Sequence, residues 1–383
     1  MRHRDSISAP AALVLFVALS AAGGGCANNG PRDGPRDRVG ALPFPGAFTL
    51  YRPADPDDLG PHRYGRTPRV FRTDESDGIV YTTRAGFLDL AHVRITVDSV
   101  RFCAERLRAA VRERRNELAL PTIEGSTFIV TLRYPPDWPP CADGAVADDE
   151  LAIRAGQRLG YLMMTWHELI TWFGYRTVMF IDESPSAFTY DDTMSHVVGL
   201  RVAGRALRDT TPGRSFDAAV TIALRAELED LGAVPPAQTE LAARAVHGVW
   251  WARGKPLKRH LEVGLADGFV RPWLVPGADA VPAMSLMPTT APAAIEPEGF
   301  PLPTLTDVRG RDLSGFYTVR VDPVVPVGKR MRELLPDRPT LFDVERDFPL
   351  LMQATRRQMR DRLGADVDQP WPTSAPASPA GTP

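Results

Sequence analysis

Tyr161-Leu-Met-Met-Thr-Trp-His-Glu-Leu-Ile-Thr-Trp-Phe-Gly174 sets one His-Glu pair inside an apolar, aromatic run. Leu159, Leu162, Met163, Trp166, Ile170 and Phe173 recur at steps of three and four, the period of a buried helix face. Adjacent helix positions point about 100° apart, so His167 and Glu168 occupy different parts of the surface. An imidazole and a carboxylate buried without partners are costly. The stretch therefore demands that polar groups from elsewhere, or a metal ion, come to meet them.

This helix is predicted to open near Asp148, where Asp148, Asp149 and Glu150 suit the positive end of the helix dipole, and to close at Gly174. Upstream, Phe44 to Arg52 and Ile79 to Thr83 read as strands, and Thr127 to Arg133 as another, from β-branched and aromatic content. A long helix is expected from Gly86 to about Asn116, with Leu88, His92, Ile95, Ser99 and Phe102 on one stripe. The prolines of Tyr134 to Pro140 preclude both helix and ladder. Downstream, Thr177 to Ile181 reads as a strand. Helices are expected over Asp191 to Arg208, Phe216 to Leu231, Ala237 to Ala252 and Leu341 to Leu363. The fold class that follows is α+β, a mainly α-helical single globular domain with a small β component.

The chain of 383 residues has 44% hydrophobic and 24% charged residues, an ordinary globular balance. A formal net charge of -2 gives no electrostatic footprint for nucleic acid. The N-terminus reads as an address. Arg2, His3 and Arg4 precede the apolar run Ala11 to Ser20, which is too short to span a membrane as a mature helix. Ala21-Ala-Gly-Gly-Gly-Cys26 follows, small residues leading to a cysteine, as in a bacterial lipoprotein signal with Cys26 as the lipidated residue. Residues 1–25 are thus expected to be a signal peptide and 26–43 a flexible tether. Residues 44–365 form the globular domain and 366–383 a disordered Pro/Ala/Ser/Thr tail. The expected location is the bacterial cell envelope, lipid-anchored, on the periplasmic face of the outer membrane. Cys103 and Cys141 either form a disulfide there or are a buried helical thiol and an incidental loop cysteine.

Four histidines carry chemical interest. His92 follows Asp89 by three, so the carboxylate can orient the ring or join it as a ligand. His167-Glu168 begins like the zinc-protease motif His-Glu-x-x-His, but position 171 is Thr, which argues against a standard zincin. A site assembled from several helices stays open, with His167, His92 and a carboxylate such as Glu183 or Asp192. His196 lies four residues after Asp192 on one helix face, where a solvated helix start with a capping Asp is the plainer reading. His62 is a reserve ligand in the loop from Asp55 to Tyr64. A buried network locking helices together would explain the same residues without catalysis. No Gly-x-Ser-x-Gly elbow, P-loop or dinucleotide fingerprint is present.

Leu59-Gly-Pro-His-Arg-Tyr64, Asp77 to Arg94, Trp166 to Gly174, Ser186 to Asp192 and Gly248-Val-Trp-Trp251 together give a further indication. In that order, with Leu257-Lys-Arg-His260 and Pro272 to Gly277, the chain resembles a bacterial envelope family designated DUF4056, over about residues 45–280. The resemblance implies a single-domain, mainly helical envelope protein, with His62, Asp89, His92, Arg94, His167 and Glu168 in the family pattern. It supplies no activity. Thr83 stands where Cys is common in that pattern, and His196 where Asn is common.

The functional expectation is a metal-dependent hydrolase, zinc being the metal, acting on a cell-envelope component. His92 and His167 would be ligands, with His62 and Glu183 in reserve. Glu168 would be the general base, Asp89 the group orienting His92, and Arg94 the stabiliser of a developing anion. The alternative is a non-catalytic envelope lipoprotein that binds a protein partner or cell-wall polymer, its membrane contact being the lipid anchor.

Overall fold

A computed structural model describes residues 35, 38, 40, 41, 51–64, 75–136, 138, 145–176, 182–275, 297–305, 312–324 and 326–371. The signal segment, Cys26, Cys141, the strand expected at 177–181 and nearly all of that expected at 44–52 lie outside these residues. Among the described residues the architecture is α+β and mainly helical.

Strands β1 (Ile79–Thr82) and β2 (Gly86–Asp89) form an antiparallel hairpin, with Ile79 opposite Asp89 and Thr82 opposite Gly86. The expected helix start at Gly86 is therefore corrected. Gly86 has a φ of +74°, a turn conformation, and the chain stays extended through Asp89. Asp89 then caps helix α1 (Leu90–Arg112), its side chain accepting the Ala91 N–H at 2.9 Å.

Strands β3 (Glu117–Pro121) and β4 (Thr127–Leu132) follow, then α2 (Ala145–Trp172), α3 (Asp192–Leu207), α4 (Phe216–Asp230) and α5 (Pro236–Ala245). Helix α5 stops well short of Ala252. Gly248 takes a φ of +84°, and β5 (Trp251–Ala252) folds back on β6 (Lys255–Pro256). A short pair, β7 (Phe269–Val270) and β8 (Phe300–Pro301), precedes β9 (Tyr317–Asp322), α6 (Val327–Arg332), β10 (Phe342–Asp343) and α7 (Val344–Leu363). An antiparallel sheet runs in the order β10-β9-β4-β3. Its inward residues include Leu118, Leu120, Phe128, Val130, Val319 and Val321, alternating with outward ones.

Residues 366–371 are packed rather than disordered. Val367 is buried, Lys258 pairs with Asp366 at 2.9 Å, and the Trp250 indole donates to the Pro370 carbonyl at 2.7 Å. Cys103 is a free, buried thiol with its sulfur 3.6 Å from that of Met163, and burial pushes its pKa up.

Helix α1 packs against both α2 and α3, and three glycines set how closely. A Cβ on Gly160 of α2 would lie 2.7 Å from Val100 Cγ2, and one on Gly156 would lie 2.8 Å from Ala104 Cβ. The pairs 100 with 160 and 104 with 156 define an antiparallel register, which carried back along α1 sets His92 opposite Glu168. On the other side, a Cβ on Gly199 of α3 would meet Thr96 Cβ at 2.5 Å, and the Asp89 N–H donates to Ser195 Oγ at 2.8 Å. These two contacts run parallel and set His92 beside His196.

Candidate metal centre

The helix crossings bring three chemically apt side chains to one point. One ligating atom each from His92, Glu168 and His196 lies within 4.8 Å of the other two. Two of the three are aimed by a neighbour. Asp89 Oδ2 lies 2.7 Å from His92 Nδ1. A carboxylate there is served by a protonated Nδ1, which leaves Nε2 as the ligating nitrogen. That Nε2 lies 3.7 Å from Asp192 Oδ1. Glu168 Oε2 accepts the Phe188 N–H at 2.7 Å, leaving Oε1 to face His196 Nε2 at 3.9 Å. Phe188 is fully buried with a φ of +54°, a conformation costly for a bulky residue. The strained turn aims its N–H at Glu168, and the Phe188 carbonyl is held by the His260 N–H at 2.9 Å.

Asp192 Oδ2 accepts the Thr189 N–H at 2.5 Å, and Asp191 Oδ1 accepts the Thr189 hydroxyl at 2.7 Å. Two buried atoms remain without a hydrogen bond, His196 Nε2 and Asp191 Oδ2. Such atoms are costly unless something else engages them.

The electrostatics favour a cation. Asp89, Asp191, Asp192 and Glu168 are buried around two imidazoles. Burial pushes the Asp191 carboxyl up, helped by Asp89, and that of Asp192 well up, helped by Glu168 and Asp191. Burial opposes charge on His92, but Asp192 and Asp89 outweigh it and hold the ring well above its ordinary pKa. His196 goes the other way. Burial, then the neighbouring His92 and His167, push it well below, so it is a neutral imidazole with a lone pair to give. Arg259 stands near; burial lowers it to about 10 against the pull of Asp192 and Glu168, and it donates to the carbonyls of Lys258 and Pro185. Two imidazoles and a carboxylate, with a further carboxylate at hand, are a donor set for a divalent transition metal.

His167 is not in this set. Its Nδ1 lies 2.7 Å from Glu124 Oε1, in the turn between β3 and β4. The expectation paired His92 with His167; the group that converges here pairs His92 with His196. The cause is the angular offset within the His-Glu pair. The antiparallel register turns position 168 towards α1 and leaves position 167 facing the sheet turn.

A second buried cluster takes two other expected site residues. His62 Nε2 lies 3.0 Å from Asp98 Oδ1. Arg94 donates to the Leu59 carbonyl at 2.6 Å and pairs with Asp77 at 3.2 Å. Arg94 is two residues beyond His92, about 200° around the helix, so it points away from the candidate centre. Its buried guanidinium lies among Leu59, Asp77 and Glu75 rather than beside His92. Glu183, half-buried, precedes the short 3-10 turn at Ser184–Ser186 and is outside the three-residue group. Glu124 was passed over in the sequence, and His196 was weighed there but set aside. The four-residue spacing of Asp192 and His196 was the available signal for one; a lone Glu before Gly125 offered none for the other.

Cavities lined by Trp172, Arg330 and Arg362, and by Trp273, Pro297 and Trp371, lie elsewhere. No helix among the described residues is long and apolar enough to cross a membrane.

The family model for a protein of unknown function, DUF4056, matches residues 33–263, and the chain belongs to that family. No curated protein and no solved structure matches it.

Proposed function

We propose that this protein is a metal-dependent hydrolase of the bacterial envelope, held there by a lipid on Cys26, with zinc at His92, His196 and Glu168. The observation that carries the reading is the convergence of their ligating atoms within 4.8 Å, together with a His196 Nε2 that no hydrogen bond satisfies. A bound zinc ion supplies Lewis acidity and lowers the pKa of water at its open position. Asp89 holds the His92 ring in the tautomer that presents Nε2. With Glu168 among the ligands, Asp192 is the carboxylate left to accept a proton, since its Oδ1 faces His92 Nε2 while Oδ2 is tied to Thr189. The substrate class in this reading is an envelope component with a hydrolysable bond: peptide, peptidoglycan or lipid.

A second reading has its own support. His196, Glu168 and Asp192 are all buried, and of the three candidate ligands only His92 has appreciable exposure, 21% of its side chain. That burial suits a structural ion or polar network in a non-catalytic lipoprotein that binds a protein or cell-wall polymer. Elemental mass spectrometry on the full chain, beside His92→Ala and Glu168→Gln, tests the metal. About one equivalent of zinc, lost in both variants with the fold retained, is the expected result. No metal after reloading, in a folded parent, would leave the non-catalytic reading standing.

A further inference from the structure

Three described positions, 38, 40 and 41, cross from the second polar cluster to the candidate centre. Arg38 is buried, with one guanidinium nitrogen 3.0 Å from Asp98 and the other paired with Glu75. It also donates to the Arg63 carbonyl at 3.1 Å. Burial disfavours the Asp98 carboxylate, but hydrogen bonds from His62 and Arg38 hold it ionised, so the grip on the guanidinium is charged at both ends. Two residues on, Gly40 lies against His92. A Cβ there would stand 2.7 Å from His92 Cε1 and 2.9 Å from Asp89 Oδ2. The Ala41 N–H then donates to that same Oδ2 at 2.8 Å.

Access follows from these contacts. Glu168 and His196 are sealed, so solvent meets the group through His92, and the chain at Gly40 lies on that ring. The glycine permits the cover to be close; any side chain would collide with the imidazole. Among the described residues, one guanidinium and one N–H hold it.

We propose that Arg38, Gly40 and Ala41 form a strap that gates the candidate metal centre, closed while Arg38 sits between Asp98 and Glu75 and open when that grip parts. What is gated rests on the metal-centre reading; the covering of His92 does not. A substrate larger than water reaches the centre in the open state alone.

The test is the exchange rate of the imidazole Cε1 hydrogen with deuterium, read by peptide mass spectrometry on the full chain. His92 is compared in the parent, Arg38→Met and Gly40→Ala, with the exposed His247 as internal reference. Both variants are expected to speed His92 exchange about tenfold, since each favours a local opening, and to leave His247 unchanged. Zinc uptake and release, followed with a chromophoric chelator, should quicken with stoichiometry unaltered. His92 exchange equal to the parent's in the folded variants overturns the strap. Should Arg38→Met not fold, Gly40→Ala decides alone, because it leaves the buried ion pairs intact. Faster exchange with no zinc bound by any form keeps the strap and removes the metal centre.

Discussion

Asp89 caps α1 with one carboxylate oxygen and holds Nδ1 of His92 with the other, 2.7 Å away. The helix start and the orientation of a candidate ligand thus depend on the same side chain. Asp89→Asn separates the two, since Asn also caps. The variant should fold with a near-parental melting temperature yet bind zinc about 10–100-fold more weakly, measured by competition with a chelator. Metal binding must also displace a proton from His92, whose pKa is held well above the ordinary value. Affinity should therefore climb with pH through neutrality, and less steeply in Asp89→Asn.

His196 and His167 lie at the same end of the molecule but have different partners. His196→Ala should abolish stoichiometric zinc. His167→Ala should keep it, because that ring is engaged by Glu124. Titration of both variants with zinc by calorimetry compares them directly. Loss of zinc in His167→Ala alone would reverse the assignment.

Gly199 is where α3 touches α1. A side chain there meets Thr96 Cβ at 2.5 Å and the Val93 carbonyl at 2.7 Å. Gly199→Val should cost about 1–3 kcal/mol by overpacking, read from urea unfolding. It should also weaken metal binding, since the same crossing sets His196 beside His92. An unchanged midpoint would mean that the helices have room to spare.

Acid should destabilise the fold through His260, which is buried and stacked on Trp273 with ring centroids 4.9 Å apart. Burial lowers its pKa to about 3. The unfolded chain takes up a proton near pH 6.5 that the folded chain refuses until about pH 3. The unfolded state binds more protons in that window, so this contribution to stability is intact above it and declines as pH falls. His260→Phe keeps an aromatic ring and removes the proton. The slope of unfolding free energy against pH should flatten between those limits, and a parental slope would exclude His260 as its source.

The bodies of α1, α2, α3 and α4 could be read from the sequence because each carries a sustained apolar period. The strands β3 and β9 escaped it, being short alternations, and the partner of β9 lies far away in the chain, Thr127 opposite Asp322. The same divide applies to the candidate centre. Asp89, His92 and Glu168 stood out by residue type in unlikely surroundings. The choice between His167 and His196 depended on which residues of α2 and α3 face α1. That register is set by Gly160 against Val100 and Gly199 against Thr96, contacts between helices that leave no periodic trace. Family resemblance also pointed away from His196, by favouring Asn at that position. Arg94 and His62 were expected as an anion stabiliser and a reserve ligand, but the turn of α1 carries Arg94 to the opposite side from His92, where it meets the neighbours of His62.

Arg38 also sets a length. Eleven residues lie between it and Cys26, twelve Cα steps in all. A fully extended chain of that length spans at most about 40 Å. With a lipid on Cys26, the candidate centre would patrol a shell of that depth above the bilayer, a working radius that excludes anything farther out in the envelope.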